Sequence, residues 1–418
     1  MLGQSPCAWL RAFSGPAAHR AFDRHSAGRS GGNRRDEERL VPRKAQAVRP
    51  ASGGPNKERG RGEPSSAANR RFPETPGRGE IVRAIKFDAD ESAREKVRDQ
   101  LLFLGLIDLQ DTVMGRKARN TGHKALRARA VVDLAGHIGW DRAHGVYYTG
   151  VPDMAVGPLY YSLYDAACVT VTDAFPEAGK SLKQTNQTPL TPQQVEDMVR
   201  LLMEADAQTV WDQITTHLRN GILLRSLGDA IQLGAAELVL RTTVPRKFTE
   251  GQHPFDYCNT ANYWIRTSDN PYQPRILYLM ANFVNDAARA NKLFSSVIEQ
   301  EFASHDLGGR TPEALLREQD EAIMAFDFPR ATAVANAYLQ TGADRRKLTE
   351  TLAVTACKFQ DDPHNQKISH STFEEYGHNS THMRDRLLLA TARLLAGWPK
   401  MPGERDCYAR YMKEWIRN

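Results

Sequence analysis

Beyond residue 80 the apolar side chains return every three or four positions, the step that lines up one face of an α-helix. After a short strand or extended entry at 81–87, Ser92 is placed to cap a helix running to Leu104. Through 116–136, Ala125, Ala128, Val132 and Ala135 keep the helical step, and a further helix opens at Gly157-Pro158 with Leu159, Leu163, Ala166 and Ala167 inward. Residues 176–191 are polar and read as a loop, either a lid or a connector. Thr191-Pro192-Gln193-Gln194 combines an N-cap, a first-turn proline and a glutamine at the third helical position, which predicts a helix from there to Asn220-Gly221. Ile222–Arg241 is apolar on nearly every side, broken by Arg225, Asp229, Gln232 and Glu237, and reads as a buried core helix.

Helices are then expected at 253–267, at 274–304 and from Thr311-Pro312, followed by shorter ones at 330–341, 345–359, 363–376, 383–397 and 405–416. Strand-like alternation is almost absent after residue 100. The expected fold is all-α: a multi-helix bundle whose C-terminal third consists of antiparallel helix pairs. Its parts are a disordered basic tail over 1–80, a helical domain with a His-rich aromatic core over 81–310, and a helical-pair region over 311–418 packed on it.

Composition changes this picture at one end only. The tail is rich in Arg, Gly, Ser, Pro and Ala, has little to bury, and so cannot offset the entropy of ordering. The formal net charge of +6 belongs to it, since acidic and basic side chains nearly balance beyond residue 80. A folded basic face is therefore not expected, and specific nucleic-acid binding is set aside. The first 35 residues, with Asp23 their one acid, are similar to a mitochondrial transit peptide. The protein is expected in the cytoplasm, or in the mitochondrial matrix if the tail acts as such a peptide. Five scattered cysteines (Cys7, Cys168, Cys258, Cys357, Cys407) form no C-x-x-C pair, which argues for a reducing compartment and against a disulfide framework. No apolar run approaches the roughly 18 residues of a membrane span.

The candidate chemistry lies in histidines near helix starts. Gly122-His123-Lys124 opens one helix, and Thr216-His217-Leu218 comes just before the core helix. His253-Pro254-Phe255-Asp256-Tyr257 opens another, and Asp361-Asp362-Pro363-His364-Asn365-Gln366-Lys367 opens the last bundle. A helix dipole keeps such an imidazole neutral, able to bind a metal or accept a proton. Facing helices of a bundle can bring such groups together. His370, Glu374 and His378 repeat a four-residue step along one face, and Asp133 and His137 share another. Trp140 with Tyr147, Tyr148, Tyr160, Tyr161 and Tyr164 forms either an aromatic cavity or core and rim. Cys258 has His253 and Asp256 near it, but the spacing aligns it poorly and it reads as structural. Phosphate-binding glycine loops, G-x-S-x-G elbows and H-E-x-x-H sequences are absent.

The stretches GHKALRARAVVDLAGHIGW, HPFDYCNTANYWIR and PHNQKISHSTFEEY resemble the histidine-bearing helical domain of bacterial Rieske-associated and questin-oxidase-like proteins. The resemblance covers roughly residues 95–418. It implies an oxidoreductase-associated helical domain with His123, His253 and His364 at the matching helix heads. The Rieske C-x-H and C-x-x-H pair is missing, so no iron–sulfur cluster is expected and any electron donor would be a separate protein or a diffusible reductant.

Together these features point to an oxidoreductase acting on a small molecule, with iron as the candidate metal. His123, His253 and His364 are the expected ligands or acid–base groups, with His217 and His137 next. Lys124, Asp133 and Lys367 are the expected orienting partners. The rival reading is a non-catalytic helical-repeat scaffold for a peptide or protein partner, built on the pairs after Thr311.

Overall fold

A fully buried helix organises the chain. In the computed structural model, which describes residues 91–109, 122–140, 163–175, 182–291, 307–359 and 363–397 with short pieces at 142–143, 145–147, 154 and 413–414, that helix is Leu224–Arg241. We number the α-helices in chain order. They are α1 Glu91–Ile107, α2 His123–Ile138, α3 Tyr164–Ala174, the short α4 Leu182–Thr185, α5 Pro192–Glu204, α6 Ala207–Arg219, α7 Leu224–Arg241, α8 Phe248–Thr267 and α9 Gln273–Asn291. The series continues with α10 Pro312–Met324, α11 Phe328–Gln340, α12 Arg345–Ala356, α13 Pro363–His378 and α14 Asp385–Gly397. The protein is all-α; among the described residues a single isolated bridge, Thr188 to Ile222, is the one β feature. The expected tail (1–80) and the helix at 405–416 lie outside the described residues or almost entirely so, as does the expected helix start at Gly157-Pro158. That helix is described from Tyr164 as α3, with Ala167 buried and Leu163 and Ala166 half-buried.

The packing follows from the residue pattern. From Leu224 to Leu240 every side of α7 except that of Arg225 is covered, by α5, α8, α9 and α14. Its polar groups are matched in place: Glu237 pairs with Arg241 and Arg386, and the Asp229 carboxylate accepts from the Ser380 hydroxyl at 3.1 Å. Gly228 lets α8 approach closely, because a Cβ there would run into the Asn262 side chain. The later helices close the other side: α13 lies on α8, and α14 on α7 and α11. No helix among the described residues is long and apolar enough to cross a membrane.

Two expected boundaries move. The helix from Thr191 keeps its capping box with Gln194 but ends at Glu204, where Asp206 caps a new helix by accepting from the Thr209 amide at 3.0 Å. The helix carrying His253 begins at Phe248 and runs through Pro254, so this histidine sits in the second turn instead of at the head. The described part of the 176–191 loop is a pinned connector. Asn186 donates to the carbonyls of Leu218 and Ile222, and Lys183 to that of Ile265 at the end of α8.

Candidate metal centre

Helices α2, α8 and α13 run in the same sense where they meet, as the ascending contacts His123–His253 and Arg129–Tyr263, and Gln252–His364 and Arg266–Glu375, require. Their early turns therefore converge. His123 is the first residue of α2 and His364 the second of α13, and both rings meet that of His253 on α8. The His123 and His253 Nε2 atoms are 3.0 Å apart, and one ligand nitrogen from each of the three rings lies within 4.8 Å of the others.

Local structure sets this up. Gly122 caps α2 at φ +88°, a conformation that costs other residues energy, and a Cβ there would press on Tyr257 of α8 at 3.2 Å. The Tyr257 hydroxyl donates to the carbonyl of Leu106 at 2.8 Å, and Lys124 forms a buried ion pair with Asp108 just beyond α1. The start of α2 is thus held against both α1 and α8. The His253 Nδ1–H donates to the carbonyl of Thr249, one turn back, at 2.6 Å. That contact fixes the tautomer, leaving Nε2 with its lone pair facing His123, and it is the kind of support that orients metal-binding imidazoles. In this state the proton between the two Nε2 atoms belongs to His123.

Burial is the main reason His253 and His123 favour the neutral form. It pushes the His253 pKa down to about 4, with His123, His364 and Lys367 adding repulsion and the Thr249 contact opposing. His123 is lowered as well, again first by burial, then by Lys367, His364 and Arg127. Behind the rings, Asp256 is fully buried and accepts from the Ser371 hydroxyl at 2.9 Å and the Gln252 amide at 3.2 Å. Burial raises its carboxyl to about 7, against the pull of Ser371, Lys367 and Gln252. The Gln252 amide also donates to the His364 carbonyl at 2.6 Å, tying α8 to the start of α13.

These three histidines can hold a metal ion. Two nitrogens bound at about 2.0–2.1 Å from one ion lie roughly 3 Å apart, between the right-angle and tetrahedral limits. His123 and His253 already have that separation, and a ring nitrogen of His364 lies within 4.8 Å of theirs. Three imidazoles leave at least one coordination position for water or substrate.

The other expected residues fall elsewhere. His217 is not brought to the cluster. It sits on α6, which packs on α9, and its Nε2 is 3.0 Å from the Gln213 amide nitrogen. Asp133 is ten residues from His123, about 15 Å along the helix, and binds the Arg129 Nε at 2.8 Å. His137 is exposed and contacts the Asp133 carbonyl at 2.7 Å. Lys124 is spent on Asp108. Lys367 stays with the cluster, one turn beyond His364 on the same face of α13. In the four-residue series, Glu374 is taken by Arg129 and Asn259, while His370 is exposed. Tyr147 stacks on Trp140 and Tyr164 packs edge-on against Phe103, so both are core residues. Tyr148, Tyr160 and Tyr161 lie outside the described residues. Cys258 is fully buried, and burial with the nearby Glu375 pushes its thiol well up, as suits a structural cysteine.

Sequence reasoning missed Gly122, Thr249 and Gln252 as supports. Thr249 had a readable signal, its place one helical turn before His253. Comparison with protein-family models, with curated proteins and with solved structures finds no match.

Proposed function

We propose that the chain is a metal-dependent oxidoreductase whose ion is held by His123, His253 and His364. The observation that carries this reading is their convergence from three separate helices, within 4.8 Å at the ligand nitrogens and oriented by a backbone carbonyl. The oxidoreductase class comes from the resemblance to questin-oxidase-like helical domains, and iron as the metal from the way helical bundles build histidine-containing iron sites. A redox-active ion with open positions supplies electron exchange with a bound substrate or with dioxygen.

The protein's own groups have definite parts in this scheme. Thr249 holds the His253 ring, Gly122 and Tyr257 set the direction of His123, and Gln252 anchors the backbone of His364. Asp256 can hold a proton near neutral pH behind the rings. A small-molecule substrate enters from the exposed side of His123, and electrons come from a separate donor.

A second reading, hydrolysis at zinc, is favoured by one feature: the ligand set has no carboxylate, because Asp256 is committed to Ser371 and Gln252. Metal analysis of the purified protein, with redox titration of the loaded form, separates the readings. We expect one transition-metal ion per chain, with a reversible redox couple, lost in His253→Ala while the helical circular-dichroism signal stays. A redox-silent zinc ion would select the hydrolytic reading. No bound metal, and no change on His253→Ala, would leave the scaffold.

A further inference from the structure

We infer that this centre takes its substrate by an anionic group, a carboxylate or phosphate, seated between the metal and the Lys367 ammonium; this rests on the metal reading above. Lys367 is three residues after His364 on α13, so its side chain leaves the same helix face as a ligand. Among the described residues it makes no hydrogen bond or ion pair. Three other lysines of similar or greater burial are neutralised, Lys124 by Asp108, Lys183 by Asp269 and Lys358 by Asp320, whereas Lys247, remote in sequence from the histidines of α2 and α13, shares the unpaired state of Lys367 among the described residues.

Asp256 acts on Lys367 electrostatically but makes no ion pair with it. Asp256 gives one oxygen to Ser371 and the other to Gln252. The backbone adds positive potential of its own, because α2 and α13 both begin at the cluster. A divalent ion between the imidazoles would therefore sit beside an ammonium that has no ion pair among the described residues, and near two positive helix ends. Such a site favours an anion as the group that completes it. A neutral substrate would leave all of that repulsion in place.

Cobalt(II) substitution makes the idea measurable, since its visible absorption reports ligands entering the open position. Acetate and inorganic phosphate would be titrated separately into the cobalt-loaded full chain and into Lys367→Met and Lys367→Arg variants. We expect one or both anions to shift the spectrum, with affinity falling roughly tenfold or more in Lys367→Met. Lys367→Arg should retain most of it, and Lys367→Met should hold cobalt at least as tightly as the unaltered chain. Acetate or phosphate as the tighter binder identifies the carboxylate or the phosphate class. Anion affinities equal in all three proteins, or no anion effect on the spectrum, would overturn the inference and leave the metal centre standing. Failure of cobalt to bind at all would remove the centre and the inference together.

Discussion

The helices α2, α8 and α13 carry two polar clusters of opposite character. A few turns beyond the histidines, Arg129 binds Asp133 and Glu374, Asn259 donates to Glu374 and Glu375, and Arg266 pairs with Glu375. Arg129 also lies flat on Tyr263, 3.3 Å from the ring centre. Two guanidinium groups face three carboxyls, and the surplus falls on Glu375, whose pKa burial raises to about 7 despite Arg266 and two asparagines. This cluster is closed. At the other end the imidazoles are half-exposed, with His123 and His253 held neutral by burial, and the lysine beside them makes no ion pair among the described residues. A closed network fixes the register of three helices, whereas an open one keeps bonding capacity for something outside the chain.

Separating the two clusters by mutation is the direct way to test that contrast. Arg129→Ala should cost most, about 3 kcal/mol of stability, because it leaves the part-buried carboxylates of Asp133 and Glu374 without their cation. Urea denaturation would read the loss, and the folded fraction should still bind metal. If stability barely changes, the network is not what holds these helices. His253→Ala should do the reverse, weakening metal binding more than roughly 100-fold, beyond the 10–100-fold typical of supporting residues. Isothermal titration measures this, and His217→Asn serves as a control that leaves metal binding unchanged.

The clusters should also answer pH with opposite signs. His253 has a folded pKa below its unfolded value, so its contribution to stability is full above pH 6.5 and is lost as pH falls towards 4. For the metal-free chain this amounts to up to roughly 3 kcal/mol. Glu375 has a raised pKa, so its contribution is full below about 4.5 and is lost as pH rises through 7. Subtracting the His253→Gln stability curve from that of the parent isolates the first effect. A flat difference between pH 6.5 and 4 would show that the ring is not buried as described. The smallest expected effect is that of Gly122→Ala, about 1–2 kcal/mol from its left-handed backbone, together with weaker metal binding from a displaced His123. A variant with unchanged metal affinity would remove Gly122 from the list of supports.

Elements signalled by local chemistry were legible in the sequence. The capping box at Thr191 and Gln194, the Thr311-Pro312 start and the all-round apolar α7 each follow from a few adjacent residues. The break before Asp206 was not, since no glycine or proline marks it and aspartate there competes with many others in the chain. Three histidines of the centre could be named because each falls in the first turns of a helix. His217, which the sequence sets just before the core helix, lies instead in the last turn of α6, and the packing of α6 on α9 keeps it away. Arg129 and Glu374 are 245 residues apart, and no local pattern announces such a pair.

The Thr249 carbonyl belongs to the first turn of α8 and also tethers the His253 ring. Unwinding that turn would free the imidazole to swing, and gripping the imidazole would keep the turn wound. Amide hydrogen exchange around 249–253 should therefore slow when an ion is added and quicken under a chelator. Folding at one helix start and loading of the centre become a single equilibrium, visible in the backbone without any assay of turnover.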